Sequence, residues 1–129
     1  MANPVDCDPR FSGCPVEFTL ELIDGKWKGV VLYHLADGPL RFNELRRRSP
    51  VATQRMLTKQ LRELEADGLV IRTIYPEVPP RVDYRLSARG ESLKPIIAAL
   101  KAWGTAHIDE FIADARRLED VNGAHRPAA

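Results

Sequence analysis

The segment from Thr53 to Gly68 constrains this chain more than any other. Leucines at 57, 61 and 64 recur at i, i+4 and i+7, which places them on one side of a helix, while Gln54, Arg55, Thr58, Lys59 and Arg62 fall on the other. Thr53 can cap that helix through its hydroxyl, and Gly68, after Ala66 and Asp67, supplies the stop. The leucine side must be buried and the polar, cationic side must stay accessible. The spacing therefore predicts a helix from Thr53 to Ala66 that rests on a core and presents a charged ridge.

That ridge belongs to a larger basic segment. Arg41, Arg46, Arg47, Arg48, Arg55, Lys59 and Arg62 are accompanied between residues 41 and 62 by one acid, Glu44, in a chain whose formal net charge is only +1. Segregated positive charge in a nearly neutral protein is the footprint of a polyanion partner, although by itself it also fits a solvated helix face.

The flanking sequence supplies the rest of a small, mainly α-helical domain. Pro15 suits a first helical position, Glu17 the positive helix end and Gly25 the exit, which gives a helix from Pro15 to Ile23. Trp27, Val30, Val31, His34 and Leu35 form the apolar stripe of a second helix, which stops at Asp37-Gly38-Pro39. Leu40 and Arg41 suit a brief strand, and Phe42 and Leu45 a short third helix ending near Arg48 before the Ser49-Pro50 turn. Leu69 to Tyr75 is rich in β-branched and aromatic residues, and Val82, Tyr84 and Leu86 alternate with polar neighbours, so a hairpin with a proline-stiffened tip follows. Ser87 caps a last helical region in which Pro95 is expected to introduce a kink, and from Arg116 the chain turns polar, with a frayed tail expected at its end. Three segments result: a flexible arm over 1–13, the domain over 14–104, and a C-terminal helix extension and tail over 105–129.

Several function classes are disfavoured. No apolar run approaches the length of a membrane span, and the N-terminus has neither a basic nor an apolar leader region, so a cytoplasmic location is expected. The two cysteines, Cys7 and Cys14, are poor material for a disulfide framework or a zinc site, and His107 and His125 lack metal-ligand spacing, so no metal or cofactor is expected. The sequence offers no Cys-x-x-Cys, no nucleophile patterned with a base, and no phosphate-binding glycine loop. Enzymatic activity is therefore not expected. Trp27 and Trp103 suit core or interface packing, His34 suits a satisfied core or interface position, and Lys26 and Lys28 either touch a nucleic-acid backbone or face water.

Three helices, an amphipathic fourth with a basic outer face and then a hairpin describe a helix-turn-helix followed by a β wing. An α-helix fits the major groove of B-form DNA, so Gln54, Arg55, Thr58 and Lys59 are positioned to read bases. Gln can bridge N6 and N7 of adenine, and Arg can fork onto guanine. Arg46, Arg47, Arg48, Thr53 and Arg62 suit backbone phosphates, and Arg81, beside the prolines of the wing, suits an adjacent minor groove.

Cys14-Pro15-Val16-Glu17, Gly25-Lys26-Trp27, the run from Asp37 to Leu45, Met56-Leu57-Thr58, the run from Leu61 to Val70 and that from Tyr75 to Val82 together resemble the HxlR-type helix-turn-helix family over roughly Cys14 to Gly104. Ala52-Thr53 replaces the Ile-Ser common at the start of that family's recognition helix, with the capping chemistry kept. The resemblance implies a homodimeric winged-helix transcription regulator, distantly similar to MarR-type proteins and commonly a repressor, acting on double-stranded DNA. It places the dimer surface on the N-terminal arm, the first helix and the helices after Ser87, with Phe18, Trp103, Ile108 and Phe111 as contacts. It also implies, as in a subset of the family, an oxidant sensor at Cys14, with Cys7 as resolving partner. A thiol at a helix N-terminus is favoured as thiolate by the helix dipole, and Cys14 has that placement, although packing is the commoner role of a free cysteine. A small-molecule or oxidant effector is left open. The competing reading is a winged-helix protein-interaction module, or a thiol redox protein, without specific DNA binding.

Overall fold

The computed structural model describes residues 14–123. The arm expected over 1–13, with Cys7, and the chain end with His125 lie outside the described residues. The order is α1 (Pro15–Ile23), α2 (Lys28–Leu35), β1 (Leu40–Arg41), α3 (Phe42–Arg48), α4 (Gln54–Ala66), β2 (Val70–Tyr75), β3 (Arg81–Leu86), α5 (Ala88–Glu91) and α6 (Lys94–Gly123). Two compact units result, one ending at Lys94 and the other beginning at Pro95.

In the first unit α4 has the expected form. Leu57, Leu61 and Leu64 are fully buried together with Val31, Leu32 and Leu35 of α2, Leu45 of α3, and Leu69. Burying each such side chain contributes about 1.5–3 kcal/mol relative to exposure, so the leucine stripe fixes which way α4 faces. The Met56 N–H donates to Thr53 Oγ1 at 3.1 Å, completing the N-cap. At the other end Gly68 adopts φ +74°, which lets the Leu69 N–H reach back to the Leu64 carbonyl at 2.9 Å and release the chain into β2.

The sheet has the order β1-β3-β2 and is antiparallel throughout. β2 and β3 pair from Val70↔Leu86 to Tyr75↔Arg81, which leaves residues 76–80, with a cis Val78–Pro79 peptide, as the wing connection. The sequence suggested a two-stranded hairpin and a separate brief strand. Leu40↔Tyr84 and Arg41↔Asp83 join them into one sheet, so the wing is anchored to the residues that lead into α3.

Two helical details differ from expectation. The α2 stripe is rotated by about one residue: Lys28, Val31, Leu32 and Leu35 are buried, while Trp27, Val30 and His34 are half-buried. Pro95 does not kink a continuous helix. The helix breaks at Ser92-Leu93, after α5, and Pro95 stands in the first turn of α6, where a missing N–H costs nothing. Gly90, inside α5, lets that helix press against the residue leading into β2: a Cβ there would fall 2.2 Å from the Leu69 carbonyl oxygen.

In the second unit α6 persists past Arg116 to Gly123, over a stretch rich in good helix formers and with an Arg117–Asp114 ion pair one turn apart. Ile96, Leu100, Trp103, Ile108, Phe111 and Ile112 are exposed along it. Trp103 stacks on His107 with ring centroids 4.3 Å apart, and His107 Nδ1 lies 2.8 Å from the Trp103 carbonyl oxygen. No helix among the described residues is long and apolar enough to cross a membrane.

Candidate nucleic-acid interface

The outward side of α4 carries Gln54, Arg55, Lys59 and Arg62 exposed and Thr58 half-buried. With Glu63 they border one shallow depression along the helix. The described residues offer no ion pair to Arg55, Lys59 or Arg62. Because Thr53 spends a lone pair on the cap, its exposed hydroxyl proton is left for an outside acceptor.

α3 delivers the second group of cations. Glu44, the lone acid of the basic segment, turns back to accept the Arg41 N–H at 3.2 Å, so its carboxylate serves the start of α3. Arg46, Arg47 and Arg48 follow, all exposed. Buried Ser49 and Ala52 anchor the turn, where the Ala52 N–H donates to the Ser49 carbonyl at 3.0 Å. Asn43, Arg46 and Arg47 share a depression with Pro50 and Ala52, next to the N-terminus of α4. A phosphate seated there would meet two guanidinium groups and the positive end of a helix.

Arg81 is differently placed from the projecting cation expected of it. Its guanidinium carbon lies 4.0 Å from the centre of the Tyr75 ring, and its nitrogens stand 3.8 Å from Glu77 and 3.8 Å from Asp83. Asp83 also faces Arg41 at 3.9 Å. The wing cation is thus stacked and partly neutralised by carboxylates of its own hairpin.

Lys28 corrects the sequence reading outright. It neither faces water nor is free to touch a nucleic-acid backbone: its side chain is 11% exposed and its Nζ lies 2.9 Å from Glu63 Oε2 on α4. Gln60 Nε2 donates to the same oxygen at 3.4 Å. The Lys28 hydrogen bond holds the Glu63 carboxyl below the ordinary glutamate range. The signal was present in the sequence, because Lys28 stands at i, i+3, i+4 and i+7 with Val31, Leu32 and Leu35, and a lysine on an apolar stripe demands an anionic partner. Lys26 is exposed and lies 5.2 Å over the Trp27 ring. His34 packs beside Tyr33, and burial together with the Arg48 charge lowers its pKa.

Cys14 is exposed and occupies the N-cap of α1, its carbonyl accepting the Phe18 N–H at 2.9 Å. Among the residues expected at a dimer surface, Phe18 is half-buried, and Trp103, Ile108 and Phe111 are exposed. The described residues hold no cluster suited to a metal ion.

Residues 22–111 match the HxlR-like helix-turn-helix family model. The chain belongs to the HxlR-like helix-turn-helix family. Among its relatives, the HTH-type transcriptional regulator YybR of Bacillus subtilis is 57% identical over 109 residues, covering 84% of this chain and 87% of YybR. The solved structure of the redox regulator HypR in its reduced form superposes with a TM-score of 0.74 at 55% identity, over 78% of this chain and 99% of HypR. The oxidised form gives 0.70 at 59% identity, over 72% and 96%.

Proposed function

We propose that this HxlR-like protein is a sequence-specific double-stranded DNA-binding transcription regulator that acts as a homodimer on a near-palindromic operator, as a repressor. The observation that carries the reading is the division of α4: three buried leucines fix its inner side, and Gln54, Arg55, Thr58, Lys59 and Arg62 line the outer side together. In this reading Gln54, Arg55, Thr58 and Lys59 meet base edges, while Arg46, Arg47, Arg48, Thr53 and Arg62 meet phosphates. Two copies of α4 enter successive major grooves about 34 Å apart. Exposed apolar residues on α6 (Trp103, Ile108, Phe111) support self-association, with Phe18 contributing from α1. The exposed thiol of Cys14 at a helix N-terminus and the likeness to the redox regulator HypR support thiol control of binding.

Selection of bound sequences from a random duplex pool, run with reduced and with oxidised protein, tests this reading. A symmetric motif is expected, recovered in one redox state and lost in the other. The affinity for that motif should fall with salt at a slope near −0.9 per phosphate engaged, for about 6–8 phosphates. Recovery of unenriched sequence in both states is the outcome that sinks it.

A further inference from the structure

Glu63 is a carboxylate on the border of the cationic side of α4, sharing its depression with Arg55, Lys59 and Arg62. Left alone, it would repel the phosphates that those residues attract, since like charges juxtaposed across an interface are costly. It is not left alone. The Lys28 ammonium reaches it from the first residue of α2 at 2.9 Å, with the lysine stem buried beneath, and Gln60 adds a donor to the same oxygen. The corner before α2 is shaped for this approach. Gly25 adopts φ +82°, and a Cβ there would lie 2.7 Å from Gln60 Oε1.

We propose that Lys28 and Glu63 form a positioning pair for DNA reading: Lys28 masks the carboxylate that lines the depression along the outward side of α4, and the pair clasps α4 to the α1–α2 corner so that its base-reading side chains keep a fixed rotation. The proposal rests on the DNA-binding reading above. Neither residue need touch a base. Glu63 fixes the helix from its flank, and Lys28 acts through Glu63.

The test compares the full-length wild type with Lys28→Met, Glu63→Gln and the double variant, using the selected operator and an unrelated duplex at one salt concentration. Lys28→Met exposes an uncompensated carboxylate, so affinity for both duplexes should fall on the order of tenfold near neutral pH. That loss should shrink as the pH is lowered into the ordinary carboxylate range, because Glu63, without Lys28 and beside phosphate, takes up a proton. In the double variant position 63 carries no carboxylate, and the pH-dependent recovery should vanish. Glu63→Gln alone should keep or raise affinity for the unrelated duplex and lower the operator-to-unrelated ratio severalfold. A purely structural role would move melting temperature without creating the pH-dependent recovery. A folded Lys28→Met that binds with wild-type affinity, ratio and pH profile overturns the proposal. Should Lys28→Met not fold, Glu63→Gln decides, and an unchanged ratio there overturns it equally. A wild type that binds neither duplex defeats the DNA-binding reading before any variant is compared.

Discussion

Arginines on α4 and arginine on the wing look equivalent in a sequence, yet the structure treats them in opposite ways. Arg55 and Arg62 stand exposed on a helix whose acid neighbour, Glu63, is occupied by Lys28. Arg81 is stacked on Tyr75 and flanked by Glu77 and Asp83. The difference shows that density of positive charge is not the same as availability of positive charge. On α4 the helical period sends Glu63 to the edge of the cationic side, and Glu65 is taken up by Arg72 of β2, whereas strand pairing brings carboxylates directly onto the wing cation.

The largest effect should come from the available side. Arg55→Ala removes a forked donor suited to guanine, and each such base contact discriminates by about 1–3 kcal/mol, so operator affinity should drop roughly ten- to a hundredfold per half-site while affinity for unrelated DNA changes little. Fluorescence anisotropy with both duplexes measures the split. An equal loss on both would reassign Arg55 to the backbone and remove the base-reading half of the comparison.

Arg46→Ala and Arg47→Ala should act more uniformly. Each removes a cation that neutralises phosphate without altering base preference, so affinity should fall severalfold on every sequence. The salt slope should flatten by about 0.9 for each phosphate left without its arginine in either subunit. A slope that stays at the wild-type value would place the α3 arginines away from the DNA.

The wing should respond less, and with a sign that sharpens the contrast. Because Glu77 and Asp83 already share the Arg81 charge, each at 3.8 Å, little of it is left for an outside phosphate, so Arg81→Ala should cost no more than about threefold in affinity. Asp83→Asn should instead raise affinity about two- to threefold and steepen the salt dependence, because it releases both Arg81 and Arg41. If Arg81→Ala proves as damaging as Arg55→Ala, the wing pairing breaks on binding and the wing is a primary contact.

How much of this was legible beforehand depended on the range of the interaction. The α4 helix, its Thr53 cap, its leucine stripe and its Gly68 stop are all local, and residues within one turn of each other dictate them. The outward set from Gln54 to Arg62 follows once the leucines are buried. Pairing between distant segments was not legible. Nothing local shows that Leu40 and Arg41 join β3, or that Asp83 thereby meets two arginines. Lys28 is intermediate. Its position on the α2 stripe announces an anionic partner, but the aromatic bulk of Trp27 suggests a stripe phased one residue away, and the partner lies on another helix.

His34 offers a weaker test that separates the scaffold from both charged regions. It is half-buried on α2 beside Tyr33. Burial is the main cause of its lowered pKa and the Arg48 charge adds to it, while a backbone hydrogen bond with Arg48 opposes them. A histidine whose pKa is lower folded than unfolded binds more protons in the unfolded chain, so its contribution is fully present above the ordinary histidine range and is lost as the pH falls through that range. Thermal melts between about pH 7.5 and about pH 5 should therefore show the wild type losing a few degrees more than His34→Gln, which cannot titrate but retains a hydrogen-bonding amide. Neither the arginines of α4 nor Arg81 change charge over that interval. Equal slopes in the two proteins would mean that protonated His34 is tolerated beside Arg48, and that the acid sensitivity of the fold must then be sought elsewhere than in α2.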